Sequence, residues 1–169
     1  MRRHHSLYLG ALLTLLIGST EAVPAATQLT GSEAPDFVLK SLSGENLRLS
    51  EYRGEIVMLS FWATWCGDCR AQLEELAAMY ERYQDAGVEL LAIDLEQNDN
   101  QASRMARSLG VKYPILHDPT GEVGKLYAVD KMPVMVLIDR SGVVRDVFEG
   151  YRRGKEQQYL ERVQALLRE

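Results

Sequence analysis

Apolar runs alternate with amphipathic stretches along most of the chain, which predicts a protein built from both strands and helices. Continuous apolar runs over 55–61 and 88–95 are typical of central strands that are buried on both faces. Two further runs, 134–138 and 143–148, flank the turn sequence 139–142 and predict a β-hairpin. The pattern therefore predicts two buried central strands and one β-hairpin.

A second hairpin is predicted near the start of this pattern. The segments Phe37-Val38-Leu39 and Leu47-Arg48-Leu49 flank Ser43-Gly44-Glu45, which is a turn sequence. Residues 50–52 then favour a single helical turn.

Helical periodicity fills the stretches between and after the central strands. In the first of these stretches Leu73, Leu76 and Tyr80 share one face, and Gly87 follows its end. Asp99 or Asn100 can cap the second helix. Helices are predicted over 67–85, from 99 or 100 to 109, over 120–128 and over 154–168. Strand–helix–strand units favour a parallel sheet covered on both faces, so we predict an α/β fold, a three-layer α/β/α sandwich with a mixed central sheet.

Composition fits one globular domain. The chain has 169 residues, of which 46% are hydrophobic and 25% charged, enough to bury a core. The formal net charge is −5 and no long basic run occurs, so nothing suggests nucleic acid. Arg152, Arg153 and Lys155 form a small basic cluster, which we interpret as a solvated face in preference to a docking patch. We expect a monomer.

The first residues have the pattern of an export signal. A positive segment, 2–5, precedes the apolar run 7–17, and small residues then offer cleavage after Ala22 or Ala25. The apolar run is shorter than the about 20 residues that span a bilayer. We therefore predict a cleaved signal peptide, with an uncleaved membrane anchor as the alternative.

The leader divides the chain into three parts: a signal peptide or anchor over 1–25, a flexible lead-in over 26–33 and one domain over 34–169. Membrane contact is expected only if the leader is retained. Export matters chemically because disulfides form and persist outside the cytosol.

The chain has two cysteines, Cys66 and Cys69, and they lie where the first central strand gives way to a helix. This position places the first sulfur at a helix N-terminus, where free N–H groups and the helix dipole favour a thiolate. A thiolate is the nucleophile of disulfide exchange, and the second cysteine is close enough to resolve a mixed disulfide. The pair therefore indicates redox chemistry.

Structural and metal-binding roles are the alternatives for this pair. A bridge that closes four residues stabilises a fold by only about 2 kcal/mol in the loop-entropy model, so a staple is disfavoured. Zinc needs four ligands, and His117 is the one histidine outside the leader. A copper site of Cys66, Cys69 and His117 remains open, because these ligands suit soft ions. We predict no resident metal and no bound cofactor.

Four motifs carry a family resemblance. Gly31-Ser-Glu-Ala-Pro-Asp-Phe37, Leu49-Ser-Glu-Tyr-Arg-Gly54, Phe61-Trp-Ala-Thr-Trp-Cys-Gly-Asp-Cys69 and Met132-Pro133 before a hairpin occur in that order. Together they resemble the exported TlpA/ResA-like branch of the thioredoxin superfamily, over residues 31–169. The resemblance implies a thioredoxin-like fold with an N-terminal β-hairpin.

The resemblance also implies roles for individual residues. Cys66 is then the nucleophile and Cys69 the resolving cysteine. Pro133 corresponds to the cis-proline that faces the cysteines, and Met132 before it can pair with a substrate strand by β-addition. Trp65 is expected to border the dithiol and offer an apolar contact to a partner.

Two residues between the cysteines shape the predicted site. Gly67 is expected to let the turn bend and to leave the sulfur accessible. Asp68 stands where related proteins often carry proline. Its carboxylate can raise the pKa of a nearby thiol, or it can simply complement the helix N-terminus; both interpretations stay open.

A proton acceptor for the buried cysteine is harder to assign. Thioredoxins carry a buried aspartate where this chain has Ser60. ResA-like proteins use a glutamate in the loop after the next strand, and that position falls on Gln97, beside Glu96. Glu96 is therefore a candidate base, with a solvated loop acid as the alternative, and Asp94 is a weaker candidate.

These inferences predict an exported thiol–disulfide oxidoreductase that reduces disulfides of specific partner proteins. The resemblance implies apocytochrome c, its maturation partners or copper-assembly proteins as substrates, and a membrane dithiol carrier as electron donor. A disulfide-forming oxidase and a copper-binding chaperone are alternatives. A thiol peroxidase is another, because Ala34-Pro-Asp-Phe37 also occurs near the start of peroxiredoxins.

Overall fold

A seven-stranded sheet forms the centre of the computed structural model, which describes residues 26–169. The leader predicted over 1–25 lies outside the described residues. The strands are β1 (Val38–Ser41), β2 (Asn46–Arg48), β3 (Ile56–Trp62), β4 (Val88–Asp94), β5 (Ile115–His117), β6 (Val134–Ile138) and β7 (Val144–Glu149). Their order across the sheet is β2-β1-β5-β4-β3-β6-β7.

The sheet is mixed, as predicted. Strands β3, β4 and β5 are parallel, while β6 pairs antiparallel with β3 and β7 with β6. The N-terminal hairpin β1–β2 adds to the other side through antiparallel pairing with β5. Both hairpins and the three-layer α/β architecture are confirmed.

The helices cover both faces of the sheet. They are α1 (Gly67–Tyr83), α2 (Asp99–Leu109), α3 (Glu122–Leu126) and α4 (Glu156–Leu167). Helices α1, α2 and α4 pack on one face, and α3 packs on the other with the N-terminal 3-10 turns. Side chains alternate between the faces along each strand, so Met58 and Trp62 point to the α1 face while Leu59 and Phe61 point to the α3 face.

One strand was not predicted. Strand β5 has three residues and follows Pro114, too short a run for its periodicity to be recognised. It is held by pairing with β4, where Asp94 lies opposite His117. A smaller difference concerns α2, because its N-cap is Asn98, whose side chain accepts from Asn100 N, in place of Asp99 or Asn100.

Residues 26–33, expected to be a flexible lead-in, pack against β7. Ala26 is 1% exposed. Gly31 N donates to Val144 O at 2.7 Å, and Val144 N donates to Ser32 O at 2.9 Å. These bonds occupy polar groups at the end of an edge strand, where unpaired groups favour association with other chains. Within 26–169 no helix has the length and apolar character needed to cross a membrane.

Candidate active site

The two cysteines lie at the junction between β3 and α1 and form a disulfide. Cys66 is the N-cap residue of α1, Cys69 lies in its first turn, and their sulfurs are 2.05 Å apart. Cys66 is 8% exposed and Cys69 is fully buried. Cys69 N donates to Cys66 O at 3.2 Å, which closes the first turn of the helix. The N-terminal dipole of α1 is therefore directed at the more accessible sulfur.

The two residues between the cysteines, Gly67 and Asp68, are both exposed. Asp68 is exposed in the first turn of α1. Gly67 does not have a positive φ, so the turn itself does not require glycine. A Cβ at Gly67 would meet no atom within 4 Å. The space around Gly67 is open, and its expected role in giving access to the Cys66 sulfur stays a prediction.

Pro133 lies at the same edge of the sheet as the cysteines. Phe61 pairs with Val134, so Pro133, one residue earlier, lies level with the end of β3. The Met132–Pro133 peptide bond is cis, as the resemblance implied. Met132 is half-buried and packs against the apolar cluster that contains both cysteines. The register of β3 and β6 thus brings together two motifs that are far apart in the sequence.

The two tryptophans near the cysteines have opposite environments. Trp65 is 72% exposed next to Cys66. Trp62 is fully buried in the same cluster as the cysteines. Its Nε1 is the one buried side-chain nitrogen or oxygen within residues 26–169 that has no hydrogen-bond partner. Trp65 is therefore available to another molecule, whereas Trp62 belongs to the core.

Glu96 holds the loop that leads to Cys66. Its Oε1 accepts a hydrogen bond from Thr64 N at 2.6 Å and another from the Thr64 hydroxyl. Thr64 lies two residues before Cys66, in the segment that connects β3 to α1. Glu96 is half-buried, and whether it acts as a base or as a loop acid stays a prediction.

Asp94 makes hydrogen bonds to both Glu96 and His117. Its Oδ1 accepts from Glu96 N at 3.1 Å, and its Oδ2 lies 3.0 Å from His117 Nδ1. Asp94 occupies the last position of β4 and points to the α1 face, like Ala92 and Leu90 before it. Burial is the main reason why the pKa of Asp94 is raised to about 6.

Gln72 is a buried polar residue that sequence reasoning missed. It lies one turn after Cys69 and is fully buried. Its Oε1 accepts from the Ser60 hydroxyl at 3.0 Å, and its Nε2 donates to the Tyr159 hydroxyl at 3.0 Å. The available signal was a glutamine on the apolar face of a helix, three residues after a cysteine. Ser60, Gln72 and Tyr159 thus form a buried, uncharged hydrogen-bond network one helical turn from Cys69.

His117 does not join the cysteines in the structure. Its Nδ1 is engaged by Asp94. Across residues 26–169, no three or more His, Cys, Asp or Glu side chains are arranged to hold a metal ion.

Comparisons with known proteins agree with this geometry. Residues 30–147 match the AhpC/TSA family. The thiol-disulfide oxidoreductase ResA of Bacillus thuringiensis subsp. konkukian is 34% identical over 135 residues, 79% of this chain and 78% of that protein. ResA of Geobacillus thermodenitrificans is 38% identical over 120 residues, 71% of this chain and 69% of its own.

A solved structure shows the same architecture. The crystal structure of a putative thiol:disulfide interchange protein DsbE from Chlorobium tepidum superposes with a TM-score of 0.78 and 32% identity. The match covers 82% of this chain and 97% of that one. The chain therefore belongs to the AhpC/TSA family, and within it to the thiol–disulfide oxidoreductases of ResA type.

Proposed function

We propose that the protein is an exported reductant of disulfides in specific partner proteins, of the kind used in cytochrome c maturation or copper-site assembly. The observation that carries the proposal is the Cys66–Cys69 pair at the start of α1, with the more accessible sulfur first. The leader pattern over 1–25 supports export. The named relatives support disulfide exchange as the reaction.

The chemistry needs only the two thiols of the reduced protein. The Cys66 thiolate attacks one sulfur of the substrate disulfide, which forms a mixed disulfide and releases the other substrate sulfur as a thiolate. The Cys69 thiolate then attacks the Cys66 sulfur, which re-forms Cys66–Cys69 and releases the second substrate thiol. Two electrons pass to the substrate. A membrane dithiol donor returns the protein to its reduced form by the same exchange in reverse.

The surroundings of the pair support this assignment of roles. The N-terminal dipole of α1 stabilises a thiolate on Cys66 more than one on the deeper Cys69. Exposed Trp65 offers an apolar contact beside the sulfur. Met132 precedes Pro133 at the same sheet edge, where its backbone can pair with an extended substrate segment.

A trapping experiment tests the roles of the cysteines. In Cys69→Ser the mixed disulfide cannot be resolved, so the variant should accumulate covalent adducts with its substrates. Cys66→Ser is the matched control and should trap none. Adducts on Cys66→Ser in place of Cys69→Ser would reverse the assignment, and mass spectrometry of the trapped proteins would identify the partner class.

The reduction potential tests the direction of the reaction. A value near that of thioredoxin, about −270 mV, is expected for a reductant. A value near that of DsbA, about −120 mV, would contradict the proposal and indicate disulfide formation instead. Tryptophan fluorescence or thiol alkylation in dithiol buffers measures it. N-terminal sequencing of the secreted protein separately tests cleavage after Ala22 or Ala25.

A further inference from the structure

The loop after β7, residues 150–155, starts at the same edge of the sheet as the segment that leads from β3 to the disulfide. Val134 pairs with Glu149, and Gly150 N donates to Pro133 O at 2.7 Å. Because β7 lies two strands away from β3 and ends at the same edge, the loop starts about 10 Å from the end of β3 at the usual strand spacing. Tyr151 is buried in the cluster that contains both cysteines. The loop therefore starts at the end of the sheet that leads to the cysteines, and it is hydrogen-bonded to Pro133.

This loop presents positive charge in a protein whose net charge is −5. A cavity of about 570 Å³ is lined by residues 149–155 and Gln158. Its charged lining residues are Arg152, Arg153 and Lys155 against Glu149, a net of 3 − 1 = +2. The pKa of Lys155 is lowered, first by burial and then by the charge of Arg152. With Glu156, which directly follows the loop and is bonded to Tyr151 and Gly154, the net charge of this region is 3 − 2 = +1 in a protein whose net charge is −5.

The side chains of two of these cations, the arginines, make no hydrogen bond within the loop, although the pKa of Glu156 is lowered first by backbone hydrogen bonding and also by the charge of Arg153. Lys155 Nζ donates to Gly150 O at 2.7 Å and also to Glu149 O. Glu156 Oε2 accepts from Tyr151 Oη and from Gly154 N, so it is occupied in holding the loop. Arg152 and Arg153 are exposed and take part in none of the ion pairs found within residues 26–169.

We propose that Arg152 and Arg153 form a docking surface for an acidic segment of the substrate protein, next to the disulfide to be reduced. The inference rests on the proposed function and narrows its substrate class. A substrate strand that pairs at Met132 would run past the loop that Pro133 anchors, which brings flanking Asp or Glu side chains to the two guanidinium groups. Arginine binds carboxylates with two parallel hydrogen bonds, and its charge also steers an acidic partner during encounter.

Peptide substrates test the proposal on the reduced full chain. Three peptides share one Cys-x-x-Cys disulfide and carry Glu, Gln or Lys on both flanks. We expect the second-order rate of reduction to be about tenfold higher for the Glu peptide than for the Lys peptide at low salt, and the ratio to fall toward one in about 0.5 M salt.

Charge-matched variants locate the preference. Arg152→Gln/Arg153→Gln should reduce all three peptides at similar rates and leave the Gln peptide unaffected, while Arg152→Lys/Arg153→Lys should keep much of the preference. The control Arg82→Gln/Arg168→Gln removes the same charge from exposed residues at the far ends of α1 and α4, about 18 Å from their first turns. It should retain the preference of the unmodified protein.

Three results would overturn the inference. A Glu-over-Lys preference that survives in Arg152→Gln/Arg153→Gln would place the determinant elsewhere. Loss of the preference in the far-end control would show that only net charge matters. Binding to phosphatidylglycerol vesicles that requires both arginines, without a peptide preference, would assign the surface to a membrane. Failure of the unmodified protein to reduce any peptide would count against the proposed function itself. The charge variants are expected to change only the preference among peptides, so the two failures can be distinguished.

Discussion

His117 Nδ1 lies 3.0 Å from Oδ2 of Asp94, a carboxylate with no exposed surface at the end of β4. The other oxygen of Asp94 accepts from Glu96 N, and Glu96 in turn accepts both the amide and the hydroxyl of Thr64. Hydrogen bonds of His117, Asp94 and Glu96 therefore connect β5, through the side chain of Glu96, to the loop that ends at Cys66. Each of these polar side chains makes a hydrogen bond to the next residue in the series.

The raised pKa of Asp94 makes the stability of the fold depend on pH. Its pKa is about 6 in the folded protein, compared with about 3.9 in an unfolded chain. The folded state thus binds more protons between these values, so its advantage is full below pH 4 and is lost as the pH rises through 6. Relative to Asp94→Asn, the free energy of unfolding should fall by up to about 3 kcal/mol from pH 4 to pH 7. Urea unfolding of the oxidised proteins across this range measures the difference; a difference independent of pH would contradict the assignment.

The Thr64–Glu96 pair should control the geometry around Cys66. Thr64→Val and Glu96→Gln each remove part of a charge-assisted pair, so each should lower the free energy of unfolding by about 1–2 kcal/mol. The double variant should cost less than the sum, because the two residues share one interaction. Each change should also alter the alkylation rate of reduced Cys66.

Asp118→Asn is the control for this cycle. Asp118 is buried, and its oxygens accept from Glu122 N and Gly124 N, at the start of α3. The variant should lose stability while the alkylation rate of Cys66 stays unchanged. Equal effects of Asp118→Asn and Glu96→Gln on that rate would argue against a specific role of the loop contact.

The Ser60–Gln72–Tyr159 network should tolerate complete removal better than partial removal. Gln72→Leu leaves two buried hydroxyls without partners and should cost about 2–5 kcal/mol of stability. Adding Ser60→Ala and Tyr159→Phe should recover much of this loss, because no buried polar group is then left unpaired. Denaturant unfolding compares the single and triple variants. A triple variant less stable than Gln72→Leu alone would show that packing, and not hydrogen bonding, dominates at this position.

Substitution by alanine should affect stability differently at Gly67 and at Gly142. Gly67→Ala meets open space in a helical turn, so stability should stay the same or rise by less than about 1 kcal/mol. Its effect should appear in slower attack of Cys66 on protein disulfides, with attack on a small disulfide less affected. Gly142 has φ +84°, and a Cβ there would lie 2.0 Å from the Arg53 guanidinium carbon. Gly142→Ala should cost about 1–3 kcal/mol without changing Cys66 chemistry. Thermal unfolding and stopped-flow exchange separate the two effects.

Elements that depend on residues close together in the sequence could be predicted from the sequence. The apolar run of β3, the periodicity of α1 and the two-residue spacing of the cysteines predicted where the sulfurs lie, because helix geometry brings Cys66 and Cys69 together at a strand–helix junction. The turn sequence 139–142 likewise predicted the β6–β7 hairpin.

Contacts between distant segments depended on the packing of the whole chain. Strand β5 is too short to show a periodicity and exists through its pairing with β4. Gln72 meets Tyr159 across 87 positions of sequence, and His117 meets Asp94 across 23. A polar residue by itself does not indicate which partner will satisfy it after burial. The sequence by itself therefore specifies the dithiol and the strand and helix that carry it. The polar contacts around the dithiol form only when β3, β4, β5 and α4 pack together in the folded protein.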